Sequence, residues 1–335
     1  MSDYFPELSA AFRDFAASVG GQSLCVIGHA RPDGDCVGAQ IGIAALISHY
    51  GADVFTVNAD RVPSALEYLQ GSEEISIIDP SALGEAGLVF VDCADEGRVG
   101  PKTSVALENR RRLLNVDHHI TNTRYAEVNL VDAAASATCE ILAGIAYDLE
   151  VPISPATAQA LYTGIMTDTG RFSYASTRSR VFELCSRLVQ SGASPQLAAE
   201  NLYENVSLAR LKLLERFLSS LAYECGESVC IGELRQRDFI ETGTSYQDTE
   251  GFVDYARSVG DVAIGVLLEE RKTTTKASLR ARNKRMRVDQ IAAQFGGGGH
   301  ACAAATSSDL PIERLRKDLI AALETRVVER EGNSI

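Results

Sequence analysis

The sequence predicts an α/β fold, with an N-terminal, mainly parallel sheet flanked by helices, a helical linker and a smaller mixed α/β C-terminal domain. Three observations predict it. Short buried-type runs such as Leu24–Ile27 and Leu88–Val91 alternate with helical stretches through the first half, the pattern of strand–helix–strand units. Several of these runs end in His or Asp, which would gather polar side chains beyond the carboxyl ends of strands, where parallel sheets collect ligands. After Ala222 the pattern changes to paired strands separated by short helices. The expected division of the 335 residues is 1–190, a linker over 191–221, and 222–335.

Phe5–Val19 reads as a helix, because Leu8, Phe12, Phe15 and Val19 share one face. Leu24–Ile27 is the first strand, and the apolar stretch Val37–Ile47 is a helix. Gly38 and Gly42 lie on that helix and are expected to allow close packing against the sheet. Asp53–Val57, Ile75–Ile78, Leu88–Val91 and Arg111–Val116 are further strands, and Pro63–Leu69 reads as helical. Helices are expected over Ala137–Tyr147, Pro155–Met166 and Ser179–Gln190. Ser191-Gly192-Ala193-Ser194-Pro195 breaks the pattern and marks a boundary, and Leu197–Leu221 continues it as helix. Ala222–Leu234 reads as two strands around Gly226-Glu227. A helix over Gly251–Ser258, strands over Val262–Glu269 and Thr274–Arg282, and a helix over Val288–Phe295 follow. The run Gly296-Gly297-Gly298-Gly299-His300 comes next, and Pro311–Arg330 closes with an amphipathic helix.

Composition narrows the class. A hydrophobic content of 45% is that of a globular protein. The acidic, proline-broken start Met1–Glu7 is not a signal peptide, and the longest apolar run is too short to span a bilayer, so a cytoplasmic location is expected. The eight cysteines form no CxxC pair and read as reduced core thiols. A net charge of −13 argues against a coat for long nucleic acid, and the short apolar runs imply no membrane partner. Eight Lys or Arg between Arg271 and Arg287, with no acid among them, nevertheless offer a strip for a small anion.

The chemistry concentrates in Gly28-His29-Ala30-Arg31-Pro32-Asp33-Gly34-Asp35, a turn rigid at Pro32 and bent at Gly34. It carries one imidazole and two carboxylates within seven residues. Asp92 follows a strand, Asp117-His118-His119 follows another, and Asp168 follows a helix. Of five histidines, His49 alone lies away from these segments and the glycine run. The four carboxylates of Asp33, Asp35, Asp92 and Asp168, pressed together, would repel unless cations intervene, and a pair of divalent ions would use them well. Oxygen ligands with imidazole favour manganese, with magnesium or cobalt as alternatives.

The series His29-x3-Asp33-x-Asp35, Asp92, Asp117-His118-His119 and Asp168 resembles the DHH phosphoesterase family, and Ser278-Leu279-Arg280 with Gly296–His300 resembles its associated C-terminal domain. Together, over about residues 20 to 305, they resemble the nanoRNase group, oligoribonucleases that also remove the 3′-phosphate of 3′-phosphoadenosine 5′-phosphate (pAp). The resemblance implies that His29 and Asp33 bind one metal, that Asp35, His118 and Asp168 bind the other, and that Asp92 bridges them. It implies that Asp117 orients the neighbouring histidine and that His119 contacts the scissile phosphate as cation or general acid. Gly297, Gly298, Gly299 and His300 would grip the far end of the substrate, and Arg280 a phosphate. Arg282, two residues on, and Arg171 and Arg178, flanking the Asp168 loop, are further contacts to weigh.

The implied activity is hydrolysis of very short RNA to nucleoside 5′-monophosphates and removal of the 3′-phosphate of pAp. Short oligoribonucleotides and nucleoside bisphosphates are then the partners, and a homodimer is admitted. The motif departs from the family pattern at Ala39, Ala281 and Ala305, which border the binding surface and leave substrate choice open. A cyclic-di-AMP or pApA phosphodiesterase is the alternative enzyme, and a nucleotide sensor without catalysis is the alternative class. An oxidoreductase would need GxGxxG after a strand, and the acid-filled Gly28–Gly38 turn lacks that spacing.

Overall fold

The computed structural model describes residues 3–108 and 111–331. It divides after Asn205 into two compact units. The first unit holds one sheet of β1 (Ser23–Ile27), β2 (Asp53–Asn58), β3 (Ser76–Ile77), β4 (Gly87–Val91), β5 (Arg112–Asp117) and β6 (Val128–Val131). Its order is β3-β2-β1-β4-β5-β6, and every neighbouring pair is parallel. The order reverses between β1 and β4, and the crevice outside the carboxyl ends at such a switch point is where these sheets bind ligands.

Strands of this sheet are buried on both faces, which is why they read as continuous apolar runs. Leu24 and Val26 of β1 enter one apolar cluster, while the alternate Cys25 and Ile27 enter another. The helices of this unit are α1 (Pro6–Ser18), α2 (Gly34–His49), α3 (Pro101–Ala106), α4 (Thr138–Asp148), α5 (Pro155–Asp168), α6 (Ser179–Gln190) and α7 (Pro195–Ala199). Phe12 of α1, Ile43 of α2, Ile141 of α4, Ile165 of α5 and Leu184 of α6 all join the Leu24–Val26 side. The carboxylate of Asp148 accepts from the Tyr4 and Phe5 N–H groups, both at 2.8 Å, and so ties the start of α1 to the end of α4.

The glycines of α2 serve a different contact from the one expected. A Cβ at Gly38 would lie 2.5 Å from the Ala160 carbonyl oxygen of α5 and 2.9 Å from Cys139 Sγ of α4. One at Gly42 would meet Leu161 of α5 at 2.6 Å. The close approach is therefore helix on helix, not helix on sheet. Pro63–Leu69 is also not a helix but contains one 3-10 turn, Ser64–Leu66. That stretch buries only Leu66 and Leu69 deeply, too little apolar face to hold a longer helix down.

The second unit has a mixed sheet of β7 (Ala222–Glu224), β8 (Val229–Leu234), β9 (Ile264–Glu270), β10 (Thr275–Ala281), β11 (Gly298–His300) and β12 (Ala303–Ser308), in the order β11-β12-β10-β9-β8-β7. Only the β8–β9 pair within that order is parallel. Helices α8 (Leu208–Ser219), α9 (Gln236–Thr242), α10 (Phe252–Ser258), α11 (Val288–Ala293) and α12 (Ile312–Glu331) accompany it. Val266 and Leu268 of β9 pack with α11 and α12, and Leu267 between them packs with α8 and α10. None of the eight cysteines forms a disulfide, and among the described residues no helix is long and apolar enough to cross a membrane.

Candidate metal centre

His29, Asp33, Asp35, Asp92, His118 and Asp168 gather at the β1/β4 switch point of the first unit. β1 runs into Gly28, where a Cβ would lie 2.2 Å from Cys36 Sγ, so the turn closes only over glycine. The Gly28 N–H donates to Asn58 Oδ1 at 3.1 Å, fixing the exit from the strand. Asp33 caps α2 by accepting from the Cys36 N–H at 3.0 Å, and Asp35 lies fully buried in the first turn. Asp92 directly follows β4 with φ of +56°, a left-handed conformation that costs a non-glycine residue free energy and that clusters at functional sites. Asp117 ends β5, with His118 and His119 next, and Asp168 is the last residue of α5.

These side chains converge. His29 Nε2 is 3.3 Å from Asp92 Oδ2 and 3.6 Å from Asp33 Oδ1. His118 Nε2 is 3.2 Å from Asp168 Oδ2, 3.6 Å from Asp92 Oδ1 and 3.9 Å from Asp35 Oδ2. His29, Asp33 and Asp92 form one group whose ligand atoms all lie within 4.8 Å of one another, and Asp35, His118 and Asp168 form a second. Asp92 also groups with His118 and His119, so it touches both sides.

The donor set fits divalent cations. Nε2 of His29 and of His118 is buried without a hydrogen-bond partner, which is costly for a polar atom unless something else takes it. His29 Nδ1 lies 2.9 Å from the Ala30 carbonyl, so Nδ1 carries the proton and the Nε2 lone pair is left for a cation. Burial, with the charges of Asp92 and Asp168, pushes the Asp35 carboxyl well above the usual carboxylate range. Burial and Asp92 likewise raise Asp168. Burial works against the His118 imidazolium, but Asp168, Asp35 and Asp92 outweigh it and push its pKa up to about 10. Carboxylates crowded this closely call for positive charge, and hard divalent cations would supply it.

Around the cluster stand groups whose hydroxyl and amide chemistry carries no spacing signal in a sequence. His119 Nδ1 lies 2.7 Å from Asp117 Oδ1, so the histidine that Asp117 orients is His119 rather than the adjacent His118. Asn122 donates to Asp117 Oδ2 at 2.6 Å, completing the carboxylate's partners. Thr138 donates its hydroxyl to Asp92 Oδ1 at 3.1 Å. His49, set aside above, is exposed and packs edge-on against Tyr50. Arg171 lies over the Tyr203 ring, and Arg178 is the N-cap residue of α6.

The glycine run lies in the second unit. Gly298 to His300 pair with Ala305 to Ala303 as an edge strand, and a Cβ at Gly297 would lie 2.2 Å from the Ala305 carbonyl oxygen. Gly299, at φ of +143°, would bring a Cβ to 2.5 Å from the Ala303 carbonyl oxygen. The His300 side chain lies outside the described residues. Arg280 is half-buried on β10 and donates to the Leu279 carbonyl at 3.1 Å, and Arg282, exposed beyond the strand, donates to the Gly260 carbonyl.

Residues 23–165 match the DHH family, N-terminal domain, and residues 226–329 match the DHHA1 domain. The bifunctional oligoribonuclease and PAP phosphatase NrnA of Thermus thermophilus is 29% identical over 296 residues, which cover 88% of this chain and 87% of that protein. The Bacillus subtilis protein of the same name is 25% identical and covers 90% of this chain and 94% of its own length. The cyclic-di-AMP phosphodiesterase GdpP of Geobacillus thermodenitrificans is 25% identical, but the match spans 49% of that protein. Among solved structures, an exopolyphosphatase-related protein from Bacteroides fragilis superposes with a TM-score of 0.88 at 24% identity, covering 96% of each chain.

Proposed function

We propose, from the premise that this chain is a DHH-family protein with a DHHA1 domain, that it is a metal-dependent phosphoesterase acting on very short RNA and on pAp. The observation that carries the reading is the meeting of His29, Asp33, Asp35, Asp92, His118 and Asp168 in two groups joined through Asp92 and His118. The names of the relatives that match over most of the chain supply the substrate class, namely oligoribonucleotides and pAp. GdpP supports the cyclic-di-AMP reading less, because half of that protein has no counterpart here.

In this reading His29 and Asp33 hold one ion, Asp35, His118 and Asp168 hold the other, and Asp92 serves both. Manganese suits a set of carboxylates with two imidazoles. When bound, such a pair supplies a water that is nucleophilic near neutral pH and positive charge for the phosphate. The chain's own contribution is orientation and proton handling. The Asp117 carboxylate holds His119 by Nδ1, which leaves Nε2 to face the phosphate and to give a proton to the departing oxygen. The His119 side chain is 26% exposed, open enough for a substrate to reach. Gly297, Gly298, Gly299 and His300, with Arg280, bind the nucleotide.

The test is a panel: pAp, pApA, a five-nucleotide RNA and pyrophosphate, each with manganese, read by chromatography. Release of nucleoside 5′-monophosphates from the RNA and AMP from pAp is expected. Cleavage confined to pyrophosphate, or no cleavage of any member, would overturn the reading.

A further inference from the structure

We propose that Thr138 is the positioning residue of the candidate metal centre, holding Asp35 by its backbone and Asp92 by its hydroxyl, so that one residue sets the two carboxylates relative to each other. The proposal rests on the metal-dependent reading above and deepens it. Thr138 is the first residue of α4 and is fully buried. Its N–H donates to Asp35 Oδ2 at 2.7 Å, and the next N–H, of Cys139, donates to Asp35 Oδ1 at 2.9 Å. The N-cap residue, Ala137, offers no side-chain oxygen, so Asp35 satisfies the first two N–H groups of α4 from another element. The positive end of the α4 dipole favours the charged carboxylate at this buried place.

The Thr138 hydroxyl then donates to Asp92 Oδ1 at 3.1 Å. The Asp92 carboxylate also lies 3.3 to 3.6 Å from ring nitrogens of His29, His118 and His119. A cation would take the unpartnered Nε2 atoms of His29 and His118, and their contacts to Asp92 would then run through the ion. A hydroxyl donating to a carboxylate is not displaced in this way. It fixes the rotation of Asp92 with or without ions, and it leaves the second lone pair of Oδ1 and all of Oδ2 for binding. Hydrogen-bonding partners of ligating carboxylates are typically worth 10- to 100-fold in metal affinity.

The experiment compares the full chain with Thr138→Val, Thr138→Ala and Thr138→Ser, each stripped of metal and titrated with Mn2+ by calorimetry and by the EPR signal of free Mn2+. Wild type is expected to take two ions. Thr138→Val keeps the shape and loses the hydroxyl. It is expected to bind at least one ion about 10- to 100-fold more weakly, and Thr138→Ser is expected to stay within a few-fold of wild type. Thr138→Ala removes the same hydroxyl and serves should the valine variant fail to fold. Melting of the metal-free forms separates a structural role, which would lower Tm in the valine and alanine variants and leave Mn2+ affinity unchanged. That result, or equal weakening in the serine variant, would overturn the proposal while leaving the metal reading intact. Absence of Mn2+ uptake by wild type would end both.

Discussion

Asp92 is the residue on which the centre turns. Its positive φ costs free energy, and the return is a carboxylate placed 3.3 Å from His29 and 3.6 Å from His118. We expect Asp92→Ala to abolish hydrolysis of a dinucleotide and to lower bound manganese below two ions per chain, measured by elemental analysis. Wild-type turnover in that variant would refute the paired-ion centre. Asp117 has a separable role, because it holds His119 rather than closing either ligand group. Asp117→Asn should lower kcat by about 10²-fold or more with manganese uptake near wild type, since a mis-set imidazole would lose the proton-transfer role proposed for it. The electrostatics give a pH dependence. Asp35 and Asp168 have folded-state pKa values raised by burial and by neighbouring carboxylates. The stability they contribute is complete below their unfolded pKa of about 4 and is lost as pH rises through the raised values. The chelated protein should therefore lose Tm as pH rises above about 4, and the manganese-loaded protein should not. A chelated Tm that climbs over this range would show that the carboxylates are compensated without ions. At this scale the ionisable residues were legible in the sequence, because they punctuate the ends of apolar runs. Thr138 and Asn122 were not, since hydroxyl and amide groups are common everywhere and only coordinates show which carboxylate they serve.

Elements place those residues, and their own packing is tight where the site demands it. α2 carries Asp35 and α5 ends in Asp168, and the two helices touch at Gly38 with no room for a side chain. The obstacle at Gly38 is the backbone oxygen of Ala160, which cannot turn aside as a flexible side chain can. Gly38→Ala should cost about 1–3 kcal/mol, seen as a lower Tm with chelator present, and should weaken manganese binding by moving Asp35 away from Asp168. An unchanged Tm would mean that the helices slide apart freely. The sequence shows why some elements can be read and others cannot. β1, β4 and β5 are buried on both faces and stand out as apolar runs. β6 and β12 hide because Val128–Val131 and Ala303–Ser308 are short or built of small and polar residues, which carry no clear period. β11 hides within a glycine run, where edge pairing and not side-chain burial defines the strand. The partner of Gly38 is hidden for a related reason: a glycine reports that something comes close, not which element does.

On the scale of the whole chain, charge divides unevenly between the two units. The formal charge is −13, yet the Arg271–Arg287 segment of the second unit carries eight basic residues and no acid. The candidate metal ligands all belong to the first unit, and the glycine run with Arg280 belongs to the second. If the first does the chemistry and the second holds the nucleotide, substitutions in each should affect different constants. His300→Ala should raise KM for a dinucleotide by about tenfold, the loss of one charge-assisted hydrogen bond, with two manganese ions still bound. Arg280→Gln should also raise KM, and by a larger factor at low ionic strength than at high, because salt screens the phosphate contact that the variant lacks. Asp92→Ala supplies the opposite pattern, with metal content and turnover falling together. Steady-state kinetics at two salt concentrations, read beside metal content, separates the cases. A His300→Ala variant that loses manganese but binds substrate normally would assign the glycine–histidine segment to metal binding and would dissolve the proposed division of labour.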